Sequence, residues 1–429
     1  MATKAAEGPR EKHVMRHIGI AGAGIAGLHL ALYLQKHGVD ATLITDRAPE
    51  EYRGMRLLNT VAHHHVTIAR EDYLGVNHWS DPKDHYYSHD HFFNFPQPLS
   101  FQGAFSKASR AIDYRIYLPT LMNDFMRRGG AIEYRRIEEA DIQPLVDRFD
   151  LLVVATGKGA LGQLFGYRPE HSPYSQPQRR LCVGLYTGVR QPDPMNVTLS
   201  VSPGHGEMIV IPTITFDGIA NALLMENVPG GDMDELVTLN YEDDPKHFLR
   251  VLLGKLEKHH PTTYDRIDTA RFDLAQPQDL LQGGVVPTVR NTVVEFDGGK
   301  CALALGDVHS VVDPMMGQGA NVASYAAFLL GEDIVKSDVL DARFCEKVDL
   351  KRQDHVLAAA RWTNMMLRPP SDAFGMLIGA MSQNRELADE FTENFNYPDR
   401  QWDRISSPQR IEAWLGSAMA SAQPRRASA

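Results

Sequence analysis

Residues 17–46 constrain the fold more than any other stretch. His17-Ile18-Gly19-Ile20-Ala21 reads as a short apolar strand, and Gly22-Ala23-Gly24-Ile25-Ala26-Gly27 follows it. Leu28, Ala31, Leu32 and Leu34 then fall at helical spacing up to about Gly38. Ala41 to Thr45 reads as a second strand, and Asp46 ends it 19 residues beyond Gly27. A lone Gly-x-Gly-x-x-Gly says little. Flanked by a strand and a helix, with an acid at the right distance, it predicts a βαβ dinucleotide site. Gly22 permits the tight turn, Gly24 lets a pyrophosphate approach the backbone, and Gly27 lets helix and strand pack closely. Gly22, Gly24, Ile25, Ala26 and Gly27 are therefore candidate cofactor contacts. Asp46 is placed to accept from ribose hydroxyls, although Thr45 could hold the strand end instead.

Bulk properties narrow the class. With 429 residues the chain is long enough for two or three packed units. A net charge of −10 and no basic stripe argue against a nucleic-acid partner. Cys182, Cys301 and Cys345 are odd in number and far apart. That is neither a disulfide framework nor a zinc pattern, and it suits a cytoplasmic protein. No apolar run reaches the ~18 residues of a membrane helix. Met1 to Arg16 is polar without a signal-peptide core, and residues 1–13 read as a disordered tail.

A second nucleotide signal lies far down the chain. Cys301 to Leu305 is an apolar strand closed by Gly306-Asp307. Pro314 and Gly317-Gln318-Gly319-Ala320-Asn321 follow, ahead of a helical face of Val322, Ala323, Ala326, Leu329 and Leu330. This resembles the second FAD motif of the aromatic-hydroxylase superfamily. The resemblance implies Asp307 on the ribityl chain and the 317–321 turn opening a helix under the pyrimidine end of the flavin. A helix N-terminus there suits a reduced flavin that is anionic near N1 and O2. The same resemblance gives Arg115, at the start of a helix read from Tyr117, Leu118, Leu121, Met122 and Phe125, a contact to FAD phosphate or ribityl. The alternative is a helix-capping Arg.

One superfamily feature is missing. After the strand Leu151 to Val154, single-component hydroxylases carry Asp-Gly, a Ser and an Arg that serves NADPH. Here the turn reads Thr156-Gly157-Lys158, with no Arg until Arg168. The expectation is that nicotinamide does not bind and that FAD arrives already reduced; a divergent motif is the alternative.

Three longer stretches sharpen the assignment. Arg56-Leu57-Leu58-Asn59-Thr60-Val61-Ala62-His63, Leu281 to Pro287, and Phe391 to Pro398 continuing through Trp402 are similar to segments of the two-component styrene and indole monooxygenases. The resemblance runs from about His17 to about Trp414. It implies an FADH2- and O2-dependent epoxidase working through a flavin hydroperoxide, with a separate NADH-dependent flavin reductase as partner, and it assigns site roles by position. Asn59 and Val61 would serve catalysis. Leu57, Leu58, Tyr86, His89, Pro314 and Met315 would line the substrate, and Arg56 would join the cofactor contacts. Asn59, Val61, His63, Tyr86, His89 and Ser109 look like the styrene branch, so a small apolar aromatic alkene is the expected substrate. Met315-Met316 after Pro314 departs from the smaller apolar residues expected there. A homodimer is the family expectation. The histidines at 63–65 and at 85, 89 and 91 lack further ligand spacing, so no metal site is expected.

The expected fold class is α/β, with a Rossmann-like FAD-binding domain of the glutathione-reductase-like, aromatic-hydroxylase type. Its segments are 14–70, 105–170 and 275–345. Residues 71–104 and 171–274 form a β-sheet substrate domain, with Met208 to Thr215 and Ala220 to Met225 as strands, and 346–429 is a helical C-terminal segment. Three other readings compete. An indole monooxygenase shares the chemistry. A flavin-dependent halogenase should carry Trp-x-Trp-x-Ile, whereas Trp79, Trp362, Trp402 and Trp414 are never two apart. A protein-binding module of the GDP-dissociation-inhibitor kind would not need Asp307 and the 317–319 turn.

Overall fold

A computed structural model describes residues 16–422; the expected disordered tail, 1–13, lies outside the described residues. His17–Ala21 sits near the middle of a six-stranded sheet. It pairs in parallel with Asp40–Thr45 on one side and Leu151–Val154 on the other. Ala131–Tyr134 extends one edge in parallel. Lys300–Ala304 and then the antiparallel Val293–Phe296 extend the other. All four residues of Leu151–Val154 are buried. That is why this strand reads as an unbroken apolar run: a parallel sheet covered on both faces leaves no solvent side to alternate with.

The helices that cover one face include Ile25–Lys36 and Gly319–Lys336. Their close approach depends on Gly331, where a Cβ would come within 2.6 Å of the Tyr33 ring. Ile25–Lys36 is buried from Ile25 to Leu34, so the helix following the glycine turn is itself core.

A nine-stranded sheet forms the second layer. Gly206–Thr215 and Gly218–Asn227 are its central hairpin, in the positions expected from their alternation. The 15-residue strand Leu99–Asp113 runs the length of this sheet and leads into the helix beside the first layer. Its first half pairs with Tyr86–Phe93, and its end pairs with Thr60–His63 and touches Thr213 and Ile214. Residues 60–63 and 105–113, grouped by sequence with the FAD-binding segments, are thus strands of the larger sheet. Asp113 ends that strand and caps the helix Tyr114–Arg127, so one residue hands the chain from the large sheet to the nucleotide layer. From Ala342 to Ala422 the chain is helical, as expected, beginning with the 25-residue helix Ala342–Met366.

Candidate flavin and substrate site

A cavity of about 1010 Å³ opens at the carboxyl ends of the parallel strands. Its wall includes Gly22, Gly24, Ile25 and Ala26 from the first turn, with Asp46 at the end of the next strand. Asp307, Pro314, Gly317, Gly319 and Ala320 come from the distant second motif, and Leu58, Asn59 and Val61 from the segment between. Strand ends at a topological switch are where open α/β sheets bind ligands.

The glycines test whether a dinucleotide fits. Gly22 has φ +111°, and a Cβ there would lie 2.3 Å from the Ala155 carbonyl oxygen. A Cβ on Gly27 would lie 1.9 Å from the Gly22 carbonyl oxygen. Both are forced by packing of protein on protein. Gly24 is different: a Cβ there would meet nothing within 4 Å. Its bareness serves the open space before the helix. Gly24 is also the N-cap and makes no side-chain cap bond, so the first-turn N–H groups are left for a ligand. The helix Gly319–Lys336 likewise starts without a side-chain cap. Two uncapped helix starts on one cavity suit the diphosphate and the anionic ring of a reduced flavin dinucleotide.

Asp307 lies between them. Burial raises its pKa, and the cations Lys158 and Arg290 oppose that rise. Lys158, from the turn that lacks the nicotinamide motif, lines the same cavity. Sequence reasoning treated Lys158 as a departure from a pattern and missed its position. Arg47, Arg135 and Arg136 near the Asp46 end were also missed. They sit in loops without a motif, and only the fold brings them to the cavity.

Several expected contacts fall elsewhere. The Arg115 guanidinium is buried and engaged, donating to Asp113, to Asp279 Oδ1 at 2.6 Å and to the Met55 carbonyl at 3.1 Å. Two carboxylates hold it as a tie between helix and loop, away from the cavity wall. Arg56 is exposed and pairs with Glu242 at 2.6 Å. Gln318 turns inward, donating to the Met316 and Phe395 carbonyls. Asn321 also faces the protein: its Oδ1 accepts from His64 N and Thr67 Oγ1, and its Nδ2 donates to the Ala62 carbonyl at 2.9 Å. It pins the 59–64 segment to the flavin-side helix.

The residues expected on the substrate side sit one layer behind. Leu57, Tyr86 and Met315 share an apolar cluster with Phe105, Met316 and Phe395. His89 stacks edge-on against Phe105 and Phe395, at 4.7 and 4.6 Å between centroids. Burial pushes the His89 pKa far down and the Tyr86 phenol up, so both are neutral. The buried Tyr86 hydroxyl has Ser109 of the neighbouring strand beside it, whereas Asn59 Oδ1 and His89 Nδ1 are buried with no protein partner. Such atoms in an apolar surrounding are unusual and point to a ligand or water partner.

Comparison with known proteins decides the family. The chain is 51% identical over 405 residues to styrene monooxygenase StyA of a Pseudomonas species, covering 93% of this chain and 97% of that one. The same figures hold for styrene monooxygenase StyA of Pseudomonas fluorescens. This chain belongs to the styrene monooxygenase family.

Residues 157–266 match the family described as "Styrene monooxygenase A putative substrate binding domain". Within this styrene monooxygenase family member, that span runs from the Lys158 turn through the central hairpin of the large sheet. More distant solved structures share the fold. The flavin-dependent brominase Bmp2 superposes with a TM-score of 0.66 at 14% identity, covering 94% of this chain and all of that one. 2-Methyl-3-hydroxypyridine-5-carboxylic acid oxygenase does so with 0.58 at 16% identity, over 90% of this chain and 96% of that one.

Proposed function

We propose that this chain epoxidises styrene to styrene oxide with O2 and reduced FAD, the reduced FAD coming from a separate NADH-dependent reductase. The observation that carries the reading is the 51% identity to styrene monooxygenase StyA across 93% of the chain. The chain is a flavin-dependent monooxygenase with FAD as cofactor. Reduced FAD, when bound, supplies the activation of O2.

The protein's part is to bind, orient and keep water out. The first-turn N–H groups after Gly24 would hold the diphosphate and Asp46 the adenosine ribose. Asp307 would hold the ribityl chain, and the helix start at Gly319 and Ala320 the pyrimidine end. Leu58, Val61 and Pro314 would form the apolar boundary between flavin and alkene. Asn59 Oδ1 would offer an acceptor at that boundary. Tyr86, His89 and Met315 would shape the pocket behind it. Lys158 in place of the nicotinamide-serving Arg supports delivery of electrons as reduced FAD. The division into FAD-binding segments 14–70, 105–170 and 275–345 and a substrate unit of 71–104 and 171–274 stays part of this proposal, with Leu99–Asp113 shared between them. No described helix is long and apolar enough to cross a membrane; a cytoplasmic location and a homodimer belong to the same reading.

Indole is the second substrate to weigh, because it presents the same electron-rich double bond. Purified chain with FAD, NADH and an unrelated flavin reductase, offered equimolar styrene and indole, should give styrene oxide as the main product. Indigo without styrene oxide would move the assignment to indole.

A further inference from the structure

A buried hydrogen-bonded triad abuts the cavity wall. Tyr114, the first residue of its helix, lines the cavity. Its hydroxyl lies 3.0 Å from His63 Nε2, and His63 Nδ1 lies 2.7 Å from Glu71 Oε1. Glu71 also accepts from Tyr117 Oη at 2.9 Å and from Arg110 Nη2. His63, Glu71, Arg110 and Tyr117 have no exposed surface. Buried ion pairs of this kind are costly to build and give weak returns in stability. The flavin contacts derived above use none of these four residues.

The donors and acceptors have one consistent arrangement. Burial alone would raise Glu71, but His63 and Arg110 beside it bring its pKa down to about 2. Glu71 is therefore an acceptor only, and His63 Nδ1 must carry a hydrogen. Burial holds His29 down to about 3, so it is neutral. Its Nε2 sits 2.7 Å from Tyr117 Oη and its Nδ1 3.0 Å from Ser324 Oγ. Tyr117 spends its proton on Glu71, so it accepts from His29 Nε2–H, and Ser324 donates to His29 Nδ1. His63 is thus faced by Glu71 from one helix, Arg110 from the long strand, Tyr114 and Tyr117 from the helix behind, His29 beyond them, and its neighbour His64.

One choice is left, at His63 Nε2. When that nitrogen is bare, it accepts the Tyr114 hydroxyl proton and Tyr114 shows the cavity a lone pair. When it is protonated, it donates to Tyr114 Oη and the hydroxyl hydrogen is free to turn toward the cavity. We propose that Tyr114, backed by His63 and Glu71, is the proton donor of the oxygenase reaction. This rests on the epoxidase reading for the use made of the proton. Anionic reduced FAD, O2, styrene and one proton balance FAD, styrene oxide and water, so one proton must be delivered in a site that excludes water. Tyr114 Oη gives it, and His63 Nε2, 3.0 Å behind the hydroxyl, is the group placed to return one. Solvent reaching the cavity between turnovers restores the proton. Tyr114 is the donor; His63, Glu71 and Arg110 are positioning residues.

Two measurements test this. In the flavin-free protein with 15N-labelled histidine, His63 should carry its hydrogen on Nδ1 at every pH where the fold persists. A bare Nδ1 with Nε2–H would overturn the arrangement, and this readout needs neither FAD nor styrene. Tyr114→Phe keeps the ring and removes the hydroxyl. It should lower kcat on the order of 10²-fold, with H2O2 replacing epoxide, while the Kd for oxidised FAD stays within about twofold. The solvent deuterium isotope effect on kcat should change with it. An unchanged kcat and isotope effect would reduce the triad to a structural tie.

Discussion

At the residue scale, the three fingerprint glycines separate into two kinds. Gly22 and Gly27 are held by protein contacts, and Gly24 by empty space. Gly22→Ala should cost about 1–3 kcal/mol of stability through a strained φ and the Ala155 contact. Gly24→Ala should leave the melting temperature near that of the parent and weaken FAD binding by about tenfold, or ~1.4 kcal/mol. Thermal unfolding of both flavin-free variants, with an FAD titration, checks the split. Glu226 lies on the central hairpin of the large sheet. It is fully buried, neither of its oxygens has a protein donor, and it lies against Asp313. Two ionised carboxylates cannot hydrogen-bond to each other, so Glu226 holds a proton: burial, then Asp313, raises its pKa well above the ordinary carboxyl value. A carboxyl raised by folding contributes stability below its unfolded pKa of about 4.3 and loses that contribution as pH rises toward the folded value. Glu226→Gln keeps a donor toward Asp313 without that loss. Its stability should exceed the parent's at pH 8 and the difference should shrink toward pH 5, as urea unfolding at the two values would show.

At the scale of elements, the sequence was most legible where local pattern and long-range packing agree. The strand at 17–21, the helix after the glycines, the strand at 151–154 and the 206–227 hairpin carry their own periodicity. Less legible were side chains whose direction depends on a partner far away. Arg115 follows a helix-start pattern that suggests a phosphate, yet Asp279, 164 residues on, takes its guanidinium. Asn321 follows a flavin motif yet turns back onto residues 62–67. The turn at 155–166 shows the opposite case, a residue with no motif that the fold places beside Asp307. Lys158 opposes the upward effect of burial on Asp307, so Lys158→Ala should move the ionisation of Asp307 to higher pH. A carboxylate accepts hydrogen bonds from ribityl hydroxyls better than a neutral acid does. FAD affinity in Lys158→Ala should therefore fall more at pH 6 than at pH 8; a pH-independent loss would mean that Lys158 acts only as a direct contact.

At the scale of the whole molecule, the sequence indicated two nucleotide motifs 280 residues apart and a substrate sheet between them. It did not show how tightly the two layers are sewn together. Leu99–Asp113 belongs to the large sheet at both ends, and Asp113 then caps the helix that carries Tyr114 to the cavity. Alternation alone cannot reveal this, because a 15-residue strand that serves three partners along its length reads as several shorter ones. The long strand thus links the cavity wall, where Leu58, Asn59 and Val61 lie, to the apolar cluster of Leu57, Tyr86 and Met315. We propose that the protein takes its electrons only as reduced FAD. The most direct measurement is a single turnover without nicotinamide: chemically reduced FAD, the purified chain and styrene are combined without oxygen, then mixed with O2, and styrene oxide is counted. Close to one epoxide per chain, unchanged by added NADH or NADPH, is the predicted result. No epoxide unless NADH or NADPH is present would contradict the account and return nicotinamide to the turn at 155–166.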